Sequence, residues 1–308
     1  MKKKKGIKKS RDRMIRIGTL AGKGKRTAEY IRKIAGYGFE SYQINFWQTL
    51  EGVNLKELAS ELKPTLEEYD SKVSSLGVFG NPLGTSKLDK QGVAAWRSAI
   101  DHAHLFGTDL VCGFAGRVRD CSVPDSIKTY KKVFTPLLKH AQDKGVRIAF
   151  ENCPMGGNWQ TGDWNIAFHP DAWELMFDAT PFENVGLEWE PCHQLCQLMD
   201  PIPQLRKWID KVFHVHGKDA SVYRDVIAEK GICGDHSIAH HRHPGFGDTD
   251  WKQIIDILCA ANYTSTIDIE GWHDPYYQND LEMTGQVHAL NYLKQCRGGE
   301  YVANPKGF

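Results

Sequence analysis

The sequence predicts a single-domain α/β protein folded as a (β/α)8 TIM barrel. Two observations carry that expectation: eight short apolar runs recur along the chain, and a segment with helical spacing follows each of them. A third supports it. Acids and histidines collect at the C-terminal ends of the last four runs, where a parallel barrel gathers its side chains at one mouth. The 308 residues exceed the roughly 250 that such a barrel needs.

The runs, in order, are Met14–Leu20, Ser41–Phe46, Gly77–Pro82, Asp109–Phe114, Val146–Asn152, Asn184–Glu190, Lys211–Lys218 and Ser265–Glu270. Their middles are apolar at successive positions, as in parallel strands buried on both faces. Between them, Thr27–Tyr37 carries Tyr30, Ile31, Ile34 and Ala35 at helical spacing. Leu55–Leu76 has room for two helices around Pro64. Val93–Phe106, Ser126–Lys144, Pro170–Ala179, Ile202–Asp210, Trp251–Asn262 and Leu281–Cys296 complete the helical set. Gly36, Gly38, Gly77, Gly107 and Gly145 punctuate the ends of helices. An open doubly wound sheet shares this alternation, because one chain's pattern does not display closure. The one long irregular stretch, Asp219–Asp250, falls between the seventh and eighth strands, and βα loops of that kind belong to a barrel's catalytic face.

Composition excludes several classes. Apolar residues at 41% suffice for a core, and charged residues at 25% argue against disorder. No run approaches the roughly 18 apolar residues of a membrane span. The net charge of +1 conceals a basic N-terminus: residues 1–13, MKKKKGIKKSRDR, carry +7 and leave −6 for the rest. With no apolar stretch behind it, this segment is no secretory signal. It is expected to be a disordered tail, with the catalytic domain spanning 14–308. The acidic remainder matches a phosphate backbone poorly, so nucleic acid is not the expected partner. Eight cysteines, none in C-x-x-C, indicate reduced thiols in a cytoplasmic protein rather than a zinc ribbon.

The chemistry lies at the late strand ends. The fifth strand ends in Phe150-Glu151-Asn152 and the sixth in Glu188-Trp189-Glu190-Pro191-Cys192-His193. The seventh gives His214-Val215-His216-Gly217-Lys218-Asp219, and the eighth Asp268-Ile269-Glu270 followed by Gly271-Trp272-His273-Asp274. Three carboxylates converging on one mouth repel one another, and a bound cation removes that cost. Strand alternation selects Glu151, Glu190, His216 and Glu270 as its ligands. Glu and His with open positions suit one divalent ion: Mn²⁺ foremost, or Mg²⁺, Co²⁺ or Zn²⁺.

These segments, together with Asn81-Pro82 and the run Pro244-Gly245-Phe246-Gly247-Asp248-Thr249-Asp250-Trp251, resemble the xylose isomerase-like barrels. That group includes the sugar-phosphate isomerases/epimerases and the tagatose/psicose 3-epimerases, and the likeness extends from Met14 through nearly the whole chain. The resemblance puts the family's metal ligands on the same four residues. The family usually has Asp where this chain has Glu190. The resemblance also implies that Glu151 and Glu270 move the proton and that His193 and Arg242 contact the substrate. Trp189 and Lys218 join them as substrate-binding candidates. The implied reaction removes a proton next to a sugar carbonyl, giving isomerisation or epimerisation.

Rival outcomes stay open. C-glycoside deglycosidase catalytic subunits resemble this family, eliminate from 3-keto-glycosides and work with a small second subunit. Endonuclease IV-type DNA repair enzymes share the barrel but need histidines on early strands, which Gly18-Thr19-Leu20 and Asn45-Phe46-Trp47 do not supply. A homo-oligomer acting on a small sugar is expected. Among weaker signals, Gly22–Thr27 fails the phosphate-loop spacing and is expected to be a solvated turn. His236, His240, His241 and His243 are expected to form a substrate lid. Lys218 and Asp219 are candidates for orienting the ligands. Phe46, Trp47, Trp159, Trp164, Trp189 and Trp272 are candidates for stacking on a sugar or a flat aglycone.

Overall fold

A computed structural model describes residues 14–299. The expected N-terminal tail lies outside the described residues. Eight parallel strands close into a barrel: β1 (Arg16–Ala21), β2 (Ser41–Trp47), β3 (Lys72–Phe79), β4 (Leu110–Gly113), β5 (Arg147–Glu151), β6 (Val185–Trp189), β7 (Val212–Gly217) and β10 (Thr266–Ile269). The strand order is β1-β10-β7-β6-β5-β4-β3-β2, and the β1–β10 ladder, Arg16↔Thr266 to Thr19↔Ile269, seals it. Closure rules out the open-sheet alternative.

Ten helices accompany the strands among the described residues: α1 (Thr27–Ile34), α2 (Leu55–Glu68), α3 (Lys87–His102), α4 (Val123–Asp143), α5 (Pro170–Ala179), α6 (Cys192–Cys196), α7 (Pro201–Trp208), α8 (Arg224–Lys230), α9 (Trp251–Ala260) and α10 (Glu282–Arg297). Side-chain caps start several of them. Asn54 accepts from Lys56 and Glu57 amides, and Ser86 forms a capping box with Asp89. Asp200, followed by Pro201, opens α7. Gly38, Gly107 and Gly145, with φ of +94°, +70° and +68°, turn the chain out of helices in the left-handed region. The apolar helix faces and strand exteriors merge into one core rich in Trp96, Phe134, Phe150, Trp173 and Trp251. No helix among the described residues is long and apolar enough to cross a membrane.

Three expectations need correction. Leu55–Leu76 is not two helices: α2 runs through Pro64 to Glu68, and β3 already begins at Lys72. Ser74 and Ser75 hid the strand, because they face a polar barrel interior rather than an apolar one. Gly77 accordingly ends no helix. It lies within β3, where a Cβ would meet Phe79 and Asn45. The stretch 219–250 is not irregular. It folds as an antiparallel hairpin of β8 (Asp219–Val222) and β9 (Ala239–Arg242), with α8 between them.

Candidate active site

The polar interior stacks in two tiers at the C-terminal side of the barrel. The lower tier is Glu188 on β6, His214 on β7 and Asp268 on β10, each fully buried. His214 bridges the two acids, with Nδ1 2.8 Å from Glu188 Oε1 and Nε2 2.8 Å from Asp268 Oδ2. Ser41 donates to Asp268 Oδ1 at 2.5 Å, and Ser74 and Thr266 donate to Oδ2. Gln43 donates to Glu188 Oε1 and to Ser75 Oγ. The imidazoles of His216 and His214 hold Glu188 down to about 2 although burial works the other way. Almost every polar atom here is partnered, the exception being Glu188 Oε2.

The upper tier is one alternation step nearer the mouth: Glu151 ends β5, Glu190 follows β6, His216 lies in β7 and Glu270 follows β10. One ligand atom from each lies within 4.8 Å of all the others. Asn152 fixes Glu190 by accepting from its amide at 2.7 Å and donating to its carbonyl at 2.9 Å, which locks the ends of β5 and β6 together. His216 Nε2 is engaged by Gln43 Oε1 at 2.7 Å and Glu188 Oε1 at 3.1 Å. Its Nδ1 therefore turns to the mouth, 3.1 Å from Glu270 Oε2 and 3.5 Å from Glu151 Oε1, yet hydrogen-bonds neither. Glu190 Oε1 and Oε2 and Glu270 Oε2 are likewise buried without a hydrogen-bond partner.

Four orphaned atoms of acid and imidazole, gathered at one place, are a donor set that could hold a divalent cation. The electrostatics agree. Burial pushes Glu151 up to about 7, with Glu270 and Glu190 adding to it. Burial also pushes Glu190 up to about 8, against the opposing pull of Lys218. Glu270 is held well below the usual carboxylate range, against burial, by Lys218 and His216.

Around this set, Lys218 Nζ rests 2.5 Å from Glu270 Oε1. His193, at the second position of α6, brings Nε2 into contact with Glu190 Oε1 without hydrogen-bond alignment. Burial pushes His193 down to about 3, so its ring is neutral at physiological pH. Asp219 does not touch the ligands. It accepts from the Thr249 amide, the Thr249 hydroxyl and Trp251 Nε1, and so anchors the loop before α9. Arg242 lies at the end of β9 with Nε 3.3 Å from Asp274 Oδ2 and its guanidinium against Phe246 and Tyr276.

Trp189, expected at the mouth, is fully buried in the core with Nε1 donating to Gln194 Oε1. The alternation that turns Glu188 and Glu190 inward turns Trp189 outward. Phe46 is core as well. Trp47 and Trp272 are exposed, and Trp47 pairs with Trp164 at 5.5 Å. The four loop histidines do not converge. His236 meets the Gly231 carbonyl, His240 meets Tyr223, His243 meets Asp274, and His241 packs on His193 with ring centroids 5.2 Å apart. In the Gly22–Thr27 turn, Lys23 lies over the Tyr30 ring and the Thr27 hydroxyl donates to the Gly24 carbonyl. Sequence reasoning missed Gln43, although a glutamine inside a buried strand run is itself a signal of a polar partner. Two surface cavities, of about 570 and 350 Å³, lie between α2 and α3 and at the strand starts, away from this closed cluster.

The profile of the xylose isomerase-like TIM barrel family matches residues 31–296. The chain belongs to that family. It is 32% identical to the inosose dehydratase of Lactiplantibacillus plantarum over 154 residues, 49% of this chain and 48% of that protein. It is 24% identical to the uncharacterized protein YfiH of Bacillus subtilis over 254 residues, 73% of this chain and 80% of the other. The chain thus spans about half the length of the inosose dehydratase it matches. Its barrel superposes on apo 3-keto-D-glucoside 4-epimerase YcjR of E. coli with a TM-score of 0.66 and 16% identity, covering 92% of this chain and 100% of that one. At that identity the likeness shows the fold alone. Inosose dehydratases recur among the relatives it matches in sequence, and sugar epimerases among the solved structures that share its fold.

Proposed function

We propose that this protein is a divalent-metal-dependent enzyme that removes the proton beside the carbonyl of a polyhydroxylated ketone. The observation that carries this reading is the convergence of Glu151, Glu190, His216 and Glu270, with facing atoms of Glu190, His216 and Glu270 left unpartnered. A divalent cation held there, Mn²⁺ foremost, supplies Lewis acidity to a substrate carbonyl and charge to balance the enediolate.

The chain's own residues do the rest. Glu151, at the end of β5 beside His216, is the base: the C–H proton moves to Glu151, and the C–H electron pair becomes the new C=C bond. Neutral His193 is suited to hold a substrate hydroxyl, and Arg242 to line the loop wall. Lys218 keeps Glu270 ionised and presents an ammonium beside it.

Two outcomes share that first step. Returning a proton to the opposite face epimerises or isomerises the sugar, with Glu270 as the second acid/base. Losing a group one carbon further on is elimination, of water from a keto-cyclitol or of an aglycone from a 3-keto-glycoside. The Lys218–Glu270 pair favours elimination, because it offers a proton donor for a leaving oxygen while tying up the second carboxylate. Likeness to inosose dehydratases supports the same outcome.

The test is turnover of ketoses, sugar phosphates, inosose-type ketones and 3-keto-glycosides, with and without Mn²⁺, in heavy water. Metal-dependent uptake of one deuterium beside the carbonyl supports the reading. A dehydrated product identifies elimination, and an epimer with deuterium identifies the alternative. A product that keeps the substrate's own hydrogen at that carbon sinks both.

A further inference from the structure

A second cluster lies behind His193. Helix α6 carries Cys192 and Cys196 four residues apart, which puts both thiols on one helix face. Strand β9 brings His241 over them, so that both sulfurs and one ring nitrogen lie within 4.8 Å of each other. Cys192 is fully buried, while Cys196 and His241 are half-buried. Leu195, Ala220 and Val222 wrap the sulfurs in an apolar shell. His241 Nδ1 is buried with no hydrogen-bond partner, and neither cysteine is in a disulfide.

We propose that Cys192, Cys196 and His241 form a second metal site, for a soft or borderline cation of the Zn²⁺ class, that ties strand β9 to helix α6. Two cysteine sulfurs, which would bind as thiolates, and an imidazole are a zinc-type set, whereas the mouth offers three carboxylates and one imidazole to harder ions. The two sites therefore sort metals by ligand softness. Occupancy ties the hairpin down beside His193, whose ring packs on His241. The proposal does not depend on the reaction assigned above.

The experiment is a Co²⁺ titration of the reduced full chain, read by the near-ultraviolet thiolate-to-cobalt charge-transfer band and by metal content per chain. The wild type should show the band and bind two ions. Glu151→Gln should keep the band while weakening the other ion. Cys192→Ser/Cys196→Ser should lose the band and one equivalent of metal, and His241→Asn should weaken the Co²⁺ affinity that the band reports by about tenfold. Prior addition of Zn²⁺ should suppress the band stoichiometrically. Absence of the band in the wild type overturns the proposal whatever the variants do. So does its survival in the double variant, which would point to another thiol such as exposed Cys233. Thiol counting that finds Cys192 and Cys196 oxidised to each other in the reduced protein overturns it as well.

Discussion

The two tiers of the barrel interior use the same residue types and obey opposite accounting. In the lower tier, Glu188, His214 and Asp268 satisfy one another, with Ser41, Ser74 and Gln43 closing the remaining bonds. In the upper tier, Glu190, His216 and Glu270 approach one another and leave their facing atoms unbonded. The first arrangement lacks a partner for Glu188 Oε2 alone, whereas the second leaves four atoms that a guest could engage. Buried acids and histidines therefore mark a site by where their unspent lone pairs point, not by their presence. The tiers are joined through His216, whose Nε2 belongs to the lower network and whose Nδ1 belongs to the upper. The lower tier thereby sets the orientation of His216 at the mouth.

Breaking the upper tier should have the largest effect on function. Glu190→Gln should reduce Mn²⁺ affinity, measured by calorimetry, by more than the roughly 10–100-fold that outer partners contribute, and should abolish turnover. The same variant should leave the metal-free fold intact near neutrality, since Glu190, pushed up to about 8 by burial, is then largely protonated and Gln copies its neutral form. Unchanged metal affinity would erase the distinction between the tiers.

Breaking the lower tier should act through stability. Asp268→Asn leaves His214 and two serines without their shared acceptor. Urea unfolding should show a loss of about 3–5 kcal/mol, with Mn²⁺ affinity falling about tenfold through His216. A variant that binds metal poorly yet unfolds normally would contradict the division of labour.

The pH dependence sharpens the contrast. Glu151 and Glu190 have folded values of about 7 and 8, raised above the ordinary 4.5, so the folded state binds the extra protons. Stability of the EDTA-treated protein should therefore fall as pH rises from about 4.5 to 8. Mn²⁺ should reverse that loss, with its stabilising effect larger at pH 8 than at pH 5, as read by thermal midpoints. Glu188, held at about 2, contributes in the opposite sense, since what it stabilises is lost only in strong acid.

The smallest effect serves as an outside control. Asp89 caps α3 and pairs with Arg119 at 2.7 Å, and the guanidinium holds its carboxyl down to about 2. A depressed acid stabilises above its unfolded value of 3.8, and that contribution disappears as pH falls toward 2. Asp89→Asn should cost on the order of 1 kcal/mol near neutrality, where the pair is partly screened, and nothing at the acid end. Its metal affinity should match the wild type.

Seven of the eight barrel strands were legible as apolar runs within a residue or two of their bounds, because strands covered on both faces must be apolar in the middle. β3 was misjudged because its inward residues, Ser74 and Ser75, serve the polar network and break the run. The hairpin β8–β9 escaped notice because His240, His241 and Arg242 carry no strand-like pattern, and its pairing is set by contact with α6 and by Asp219 anchoring Thr249. The convergence of Glu151, Glu190, His216 and Glu270 was legible from alternation at the strand ends. Trp189 was misplaced by neglecting the same alternation one residue earlier.

The sequence by itself determined the architecture and which side chains face inward, since both follow from local periodicity of hydrophobic and polar residues. Only the tertiary structure decided which of those polar groups are spent on one another and which are left facing a common point. That difference depends on strand stagger around a closed barrel, which pairs Glu188 with His214 and Asp268 with His216. Register between strands distant in sequence is a property of the closed sheet, and no local pattern encodes it.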